Sequence, residues 1–452
     1  MSERRPVERV APWVGLAVGL LVPVMGFALS RALGSDLAPR ALRTAVPSRV
    51  PPLQGYWQPT WFGPGTVPAL ALAVLGWRYG KDLAARLPWH RLLAASFAVS
   101  LAWLASLALV RGTPGISGIL TSRYSFLPTA RSVGSIHQLL ETFTERIPLT
   151  AAPDNWTTSV AGHPPGMLLF FVLLDRVGLG ADITVGLVVI LVAASIAVAT
   201  PVTLRALGQE AAARRAAPFL VFTPSAIFLA VSADAVITAV VAWGLACLAI
   251  SATSSGRRLL AWGALAGLLL GGSVLMSYGM LLMGVVAVAV LVAARCWRPL
   301  TVAVPAALAV VVVFAALGFS WWEAFPVLRE RYYAGIAQYR PQSYWLWGDL
   351  GALLISAGPL VGAGLAAAGV AAVGRVRGSH REVLLLVGAT AVVVAAADVS
   401  GMSKAEVERI WLPFVPWLTV SLALLPERWR SWGLGLQLLT ALLLEHLLNT
   451  VW

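Results

Sequence analysis

The sequence predicts an all-α polytopic membrane protein with about 13 transmembrane helices and one short re-entrant or interfacial segment. Three observations carry this reading. The chain is 59% hydrophobic and 12% charged over 452 residues, with a mean hydropathy of +0.81. Apolar runs of about twenty residues, the length that matches a bilayer's hydrocarbon core, recur from end to end. Arginines collect in the short connections between those runs, as the positive-inside rule asks. The longest polar segment, 112–163, is too short and too loop-like to bury a core of its own. Residues 1–452 therefore read as one transmembrane domain.

Met1–Arg9 is basic and Ala11–Leu29 is apolar, with no small-residue cleavage site after it. This is a retained first span with a cytoplasmic N-terminus in a multi-pass cell-membrane protein. Spans follow at roughly 11–30, 62–77, 92–110, 183–204, 217–232, 235–251, 259–276, 279–294, 300–319, 350–373, 383–397, 410–425 and 432–450. The shorter apolar piece 164–174 sets the side of everything after it. If it spans, Arg214/Arg215, Arg257/Arg258, Arg295/Arg298, Arg375/Arg377/Arg381 and Arg428/Arg430 all fall outside. If it dips in and returns, all fall inside, which is the arrangement the charge rule favours. The outer face then collects 31–61, 112–163, 320–349 and 398–409, together with the corners at Asp234 and Tyr278.

The net charge of +13 invites a nucleic-acid partner, but its arginines are spread over short loops rather than gathered in a groove. Lysine occurs only at Lys81 and Lys404, and the abundance of Ala, Val and Arg suggests a GC-rich bacterial genome. Cys247 and Cys296 lie in or beside apolar runs, which argues against a disulfide framework. No ligand cluster indicates a metal, so a divalent metal is left open and no cofactor is assigned.

Chemistry-bearing residues segregate to the outer face. The loop 112–163 opens with Gly112-Thr113-Pro114-Gly115, offers Arg123-Tyr124, and carries an amphipathic stretch over Val133–Arg146. It closes with Asp154-Asn155-Trp156 and then His163-Pro164-Pro165-Gly166. Two prolines at a helix start cost little, because the amides they lack are among those a helix start leaves unpaired. They hold a titratable imidazole at the water boundary. A second cluster, Ser403-Lys404-Ala405-Glu406-Val407-Glu408-Arg409, stands at the mouth of the span that begins Ile410-Trp411-Leu412-Pro413. Arginine's planar fork suits a pair of phosphate oxygens, and the carboxylates orient it. The third cluster, 320–349, interleaves arginines with aromatics: Arg329, Arg331, Tyr332, Tyr333, Tyr339, Arg340, Tyr344, Trp345 and Trp347. Such aromatics anchor spans at the interface, and beside arginines they also seat a sugar next to a phosphate. Asp234 and Tyr278 are lone polar residues at span ends, where helix capping is the plainer role.

A polar outer loop ending in His163-Pro164-Pro165-Gly166 resembles the GT-C glycosyltransferases, membrane enzymes that use lipid-linked sugars. The span running from Pro224 to Ser232-Ala233-Asp234, the glycine-rich span ending Ser277-Tyr278-Gly279, and the Glu408-Arg409…Pro413 entrance look like the same group. The resemblance covers most of the chain after about residue 112, through short and degenerate motifs. It implies a polyprenyl-phosphate sugar donor, a glycan, lipid or protein acceptor of the cell envelope, and transfer on the extracytoplasmic side. It also implies an acid early in the outer loop as base. Here the chain departs: 112–135 holds no Asp or Glu, and three spans precede the loop where one is usual.

The expected assignments follow. Asp36, Asp154, His163, Glu406 and Glu408 are the catalytic candidates, the base being sought among Asp36, Asp154, Glu406 and Glu408. Arg409, Lys404, Arg340, Tyr278 and Arg123 are the donor and phosphate-binding candidates. Tyr124, Trp156, Asp234, Tyr339 and Tyr344 are the substrate-lining candidates. The competing readings are a transporter or flippase of a lipid-linked sugar, and a non-catalytic GT-C-like subunit. Transport calls for ionisable residues near mid-membrane, whereas the outward clustering favours transfer.

Overall fold

In the computed structural model, residues 6–32, 49–374 and 380–450 are described, and almost every element is a helix. Five helices are long and apolar enough to cross a membrane: Val7–Ala32, Trp89–Arg111, Asp182–Ala206, Ala233–Ala252 and Arg381–Ser400. Two bent pairs, Leu300–Ala316 with Trp321–Ala334 and Gln342–Ala357 with Leu360–Val373, raise the candidates to seven if each counts as one span. The two strands, Gly55–Trp57 and Leu448–Thr450, form one small antiparallel pair that joins the 49–61 segment to the end of the Glu427–Leu447 helix.

Contacts between remote segments sort the helix ends into two groups. At one end of the bundle the Tyr344 hydroxyl donates to the Gly26 carbonyl at 3.0 Å. There Thr66 also meets His446 at 3.0 Å, and the Gly166 amide donates to the Leu275 carbonyl at 2.8 Å. At the other end Arg214 donates to the carbonyls of Ala84 and Leu87 at 3.0 and 2.8 Å. Lys81 reaches Ser431 at 2.5 Å, and Arg381 reaches the Val292 carbonyl at 3.2 Å. Lys81, Arg214 and Arg381 thus lie at the end opposite His163. Small residues let the helices close up: a Cβ on Gly15 would stand 2.2 Å from the Gly362 carbonyl oxygen, and one on Gly362 equally close to that of Gly15.

The apolar piece after the histidine is the helix Pro165–Leu174, ten residues long. At 1.5 Å per residue it measures roughly 15 Å, about half a bilayer core. Its two ends are held by one short helix, Phe126–Arg131. Phe126 stands edge-on to the His163 ring at 5.3 Å, while Arg131 donates to the Gly180 carbonyl at 2.5 Å and pairs with Asp182 at 2.5 Å. The chain after this piece thus returns to the same short helix that packs beside its start.

Several expected elements take another form. The amphipathic stretch 133–146 is helical only over Ile136–Glu141. Beyond it the chain turns to bury Phe143 and Ile147, and their carbonyls accept from the Trp156 indole and from Arg331. The segment 320–349 is mostly helical rather than loop, since Trp321–Ala334 and Gln342–Ala357 account for it. The expected span 350–373 breaks by 102° at Gly358-Pro359. Gln437 fills that break, donating to the Ala357 carbonyl at 2.8 Å while its carbonyl accepts from the Leu360 amide at 3.4 Å. The span expected at 410–425 is a series of short turns, because Pro413 and Pro416 remove amides that a continuous helix needs.

Candidate functional site

The site begins with the turn before Pro165. His163 is buried, and its Nδ1 lies 2.8 Å from the Ser159 carbonyl oxygen. A carbonyl only accepts, so Nδ1 carries the proton and donates. That leaves Nε2 to face the next residue of the site, the Asp234 carboxylate, at 4.0 Å. The close approach that fixes this turn falls at Gly166, where a Cβ would stand 2.5 Å from the Leu275 carbonyl oxygen.

Asp234 sits in the first turn of Ala233–Ala252, and the capping duty there belongs to its neighbour. The Ser232 hydroxyl accepts from the Ala235 amide at 3.2 Å, as an N-cap serine does. The Asp234 side chain, 4% exposed, is thereby left to tertiary partners. One oxygen faces His163, and the other accepts a charge-assisted hydrogen bond from Arg409.

Arg409 comes from the turn Val407–Ile410 and also pairs with Glu406 at 3.3 Å. Glu406 then bridges to a second guanidinium, Arg340, at 3.2 Å. Arg340 is 3% exposed and also donates to the Lys404 carbonyl. The turn that presents Glu406 is unusual: Ala405 and Glu406 both have left-handed backbone angles, with φ of 66° and 65°. For residues other than glycine this conformation is costly and needs outside support. It is pinned by the Ala405 amide donating to Asp349 at 2.8 Å and the Lys404 amide donating to the Tyr332 hydroxyl at 2.9 Å. Burial would lower the Arg409 guanidinium, but the carboxylates of Asp234 and Glu406 hold it above its ordinary value and fully charged.

The network thus runs from His163 through Asp234, Arg409 and Glu406 to Arg340, joining the end of loop 112–163, the Asp234 corner, the 320–349 segment and the 398–409 segment. Tyr278 lies in the adjoining wall, where Leu275 of the same corner touches Gly166. Its ring packs against Trp321 and Phe325 at 5.6 Å from each, and its buried hydroxyl has no hydrogen-bond partner among the described residues.

The other expected residues lie apart from the network or beside it in a supporting position. Glu408 is buried and accepts from the Gln54 amide at 2.9 Å, while its own carbonyl accepts from Ser356. It ties the 49–61 segment to the site's base. The Lys404 ammonium lies 6.0 Å from the Tyr333 ring. Tyr344 is buried and committed to Gly26. Trp156 is buried under Arg146, whose guanidinium sits 3.5 Å above its ring. Asp154 is exposed, and its carbonyl accepts from Arg146 at 2.7 Å. Arg123 and Tyr124 are exposed and contact each other at 2.5 Å. Tyr339 is about half exposed. Asp36 lies outside the described residues.

Two acids were missed in the sequence. Asp349 and Asp398 are both buried; the backbone of 398–405 is tied to the Asp349 carboxylate through the Ala405 amide, and to Gln342, which donates to the Asp398 carbonyl at 3.2 Å. The signal was present for Asp349, a lone carboxylate inside the otherwise apolar run Trp347-Gly348-Asp349-Leu350-Gly351.

A narrow cleft lies deeper in the bundle, bounded by Ser100, Leu104, Thr223, Ser225, Leu229 and Pro416 among others. No residue of the ion network lines it. Among the described residues, no group of three or more His, Cys, Asp or Glu side chains is placed to hold a metal ion. No family model matches this chain, and no curated protein sequence matches it.

Proposed function

We propose that this chain is an integral membrane glycosyltransferase of the GT-C type. It moves a sugar from a polyprenyl-phosphate donor to a glycan, lipid or protein acceptor of the cell envelope, on the extracytoplasmic side. The observation that carries the reading is the buried network of His163, Asp234, Arg409, Glu406 and Arg340, drawn from four separated segments to one end of the helix bundle. Lys81, Arg214 and Arg381 lie at the opposite end, which the charge rule assigns to the cytoplasm together with the N-terminus. With Pro165–Leu174 entering and leaving at the outer end, the chain makes about 13 traversals, several of them kinked or built from short turns.

In this reading Arg409 and Arg340 stabilise the departing polyprenyl phosphate, as positive groups must when a glycosidic bond to phosphate breaks. Glu406, which now bridges both guanidiniums, yields to the phosphate or orients it. His163 Nε2, held by the Nδ1 bond to Ser159, takes the proton of the acceptor hydroxyl, and Asp234 stabilises the resulting imidazolium. This shifts the base from the acids considered in the sequence toward the His163–Asp234 pair, because Glu406 is already engaged by both guanidiniums. Attack of the acceptor oxygen on the anomeric carbon forms the new glycosidic bond as the bond to the phosphate oxygen breaks.

A membrane assay tests it. Vesicles with the wild-type chain or His163→Ala, at equal expression, receive polyprenyl-phosphate hexose or pentose donors, and loss of sugar from the lipid phase is followed. Transfer by the wild type and a roughly hundredfold lower rate in the variant are expected. Absence of transfer from every donor, with correctly folded protein, overturns the reading.

A flippase reading draws on one specific feature, the helix broken by 102° at Gly358-Pro359, since broken helices also build transporter sites. Movement of an intact lipid-linked sugar across the vesicle membrane without transfer distinguishes it.

A further inference from the structure

At the end of the bundle opposite His163 lies a second, open cleft between the helices Thr66–Arg86, Glu210–Val221 and Glu427–Leu447. Its lining is Lys81, Ala85, Arg214, Arg215, Pro218 and Arg430, so four of its six residues are cations. A concentration of like charge in a concave space between helices is costly unless an anion occupies it.

The counter-charges nearby do not balance it. Glu210 is shared, pairing with Arg214 at 2.8 Å and with Arg205 at 3.1 Å. Glu427 acts on Arg430, but burial and then the neighbouring Arg215 charge outweigh it and hold the Arg430 guanidinium below its ordinary value. Arg214 is spoken for as a scaffold, since its guanidinium also donates to the Ala84 and Leu87 carbonyls. Arg215 is exposed at the rim, and the Lys81 ammonium is held at Ser431 by a 2.5 Å hydrogen bond.

The surroundings set the depth of the cleft. Trp77 donates to the Ser431 carbonyl at 3.2 Å. Trp429 and Trp432, on the same turn of the Glu427–Leu447 helix, cluster with Trp13 of the first helix, with ring separations of 4.5, 6.0 and 4.9 Å. Indoles gathered at one level mark the water boundary of a bilayer, where phospholipid head groups lie. Cationic pockets between helices at that level suit anionic head groups.

We propose that the cleft lined by Lys81, Arg214, Arg215 and Arg430 binds the phosphodiester head group of an anionic phospholipid. Lys81 and Arg430 face the phosphate from two helices, and Arg215 closes the rim. The acyl chains run along the apolar flank beside Trp77. This site is independent of the sugar-transfer reading, because it lies at the other end of the molecule and shares no residue with it.

The full-length chain in detergent is titrated with phosphatidylglycerol, phosphatidylcholine or free glycerol 3-phosphate, and bound ligand is counted by native mass spectrometry. Phosphatidylglycerol should bind in preference to phosphatidylcholine. Arg215→Gln and Arg430→Gln should each weaken it about fivefold, the effect of one basic residue near an anionic lipid. The control Arg257→Gln/Arg258→Gln, which removes two exposed charges outside the cleft, should leave it unchanged. Because Arg215 is exposed, its variant keeps the test open if Arg430→Gln fails to fold. Equal binding of phosphatidylcholine, or equal loss in the control, overturns the site. Binding of glycerol 3-phosphate as tightly as the lipid overturns the lipid assignment.

Discussion

Replacing Asp234 by Asn removes one charge from the centre of the network while keeping its shape. The Asp234 side chain is 4% exposed and accepts directly from Arg409, whose side chain is itself only 11% exposed. Opposite unit charges about 4 Å apart attract by about 4 kcal/mol at an effective dielectric constant of about 20. Asn keeps one acceptor, and Glu406 still faces Arg409 at 3.3 Å, so part of that attraction survives. Breaking one partner of a buried pair ordinarily costs about 3–5 kcal/mol. A loss near the lower end, about 3 kcal/mol, is expected for Asp234→Asn. The assay is a double-mutant cycle with Arg409→Gln, read as unfolding free energy by denaturant titration in mixed micelles. The cycle should give a coupling of about 2 kcal/mol between the two positions, because the double variant no longer buries a lone guanidinium. A coupling below about 0.5 kcal/mol would mean that the two side chains do not depend on each other, and the network as described would be refuted.

Other expectations follow from the same geometry. Gly166→Ala drives a Cβ into the Leu275 carbonyl, so it should cost about 1–3 kcal/mol of stability and lower transfer by displacing His163, checked by melting and by the vesicle assay. Asp154→Asn should change stability by less than about 0.5 kcal/mol, since the side chain is exposed, and transfer should remain near wild type if His163 is the base. Cysteines at Ser159, Gln342 and Ser403 should react with an impermeant thiol reagent on intact cells while one at Gly256 stays protected; the reverse pattern would invert the proposed orientation.

Much of the site could be read along the chain. The Pro164-Pro165 pair marks a helix start whatever surrounds it, and Glu406 with Arg409 marks a charged helix mouth, so both signals are local. Asp234 looked like a capping residue, yet Ser232 takes the cap and releases the carboxylate to Arg409; both residue types cap helices, and only tertiary contacts decide between them. The pairing of Gln54 with Glu408 spans 354 positions and leaves no periodic trace in either segment. Hydropathy located most of the apolar runs but not their breaks. The bend at Gly358-Pro359 depends on Gln437 from another helix, and the turns after the Ile136–Glu141 helix depend on Trp156 and Arg331 taking the Phe143 and Ile147 carbonyls. Left-handed angles at Ala405 and Glu406 are likewise imposed from outside, by Asp349 and Tyr332.

The central claim is that the outer network holds a polyprenyl-phosphate donor, and the lipid that travels with the protein tests it most directly. Wild-type chain, Arg340→Gln and Arg409→Gln are purified from native membranes, and the bound lipid is extracted and identified by mass spectrometry. Losing one charge-assisted contact to a phosphate costs about 1.5–3 kcal/mol, or tenfold or more in affinity. The account predicts polyprenyl phosphate or its sugar conjugate with the wild type, and about a tenth of that amount or less with either variant. Wild-type protein that carries no such lipid, or variants that carry it undiminished, would contradict the account.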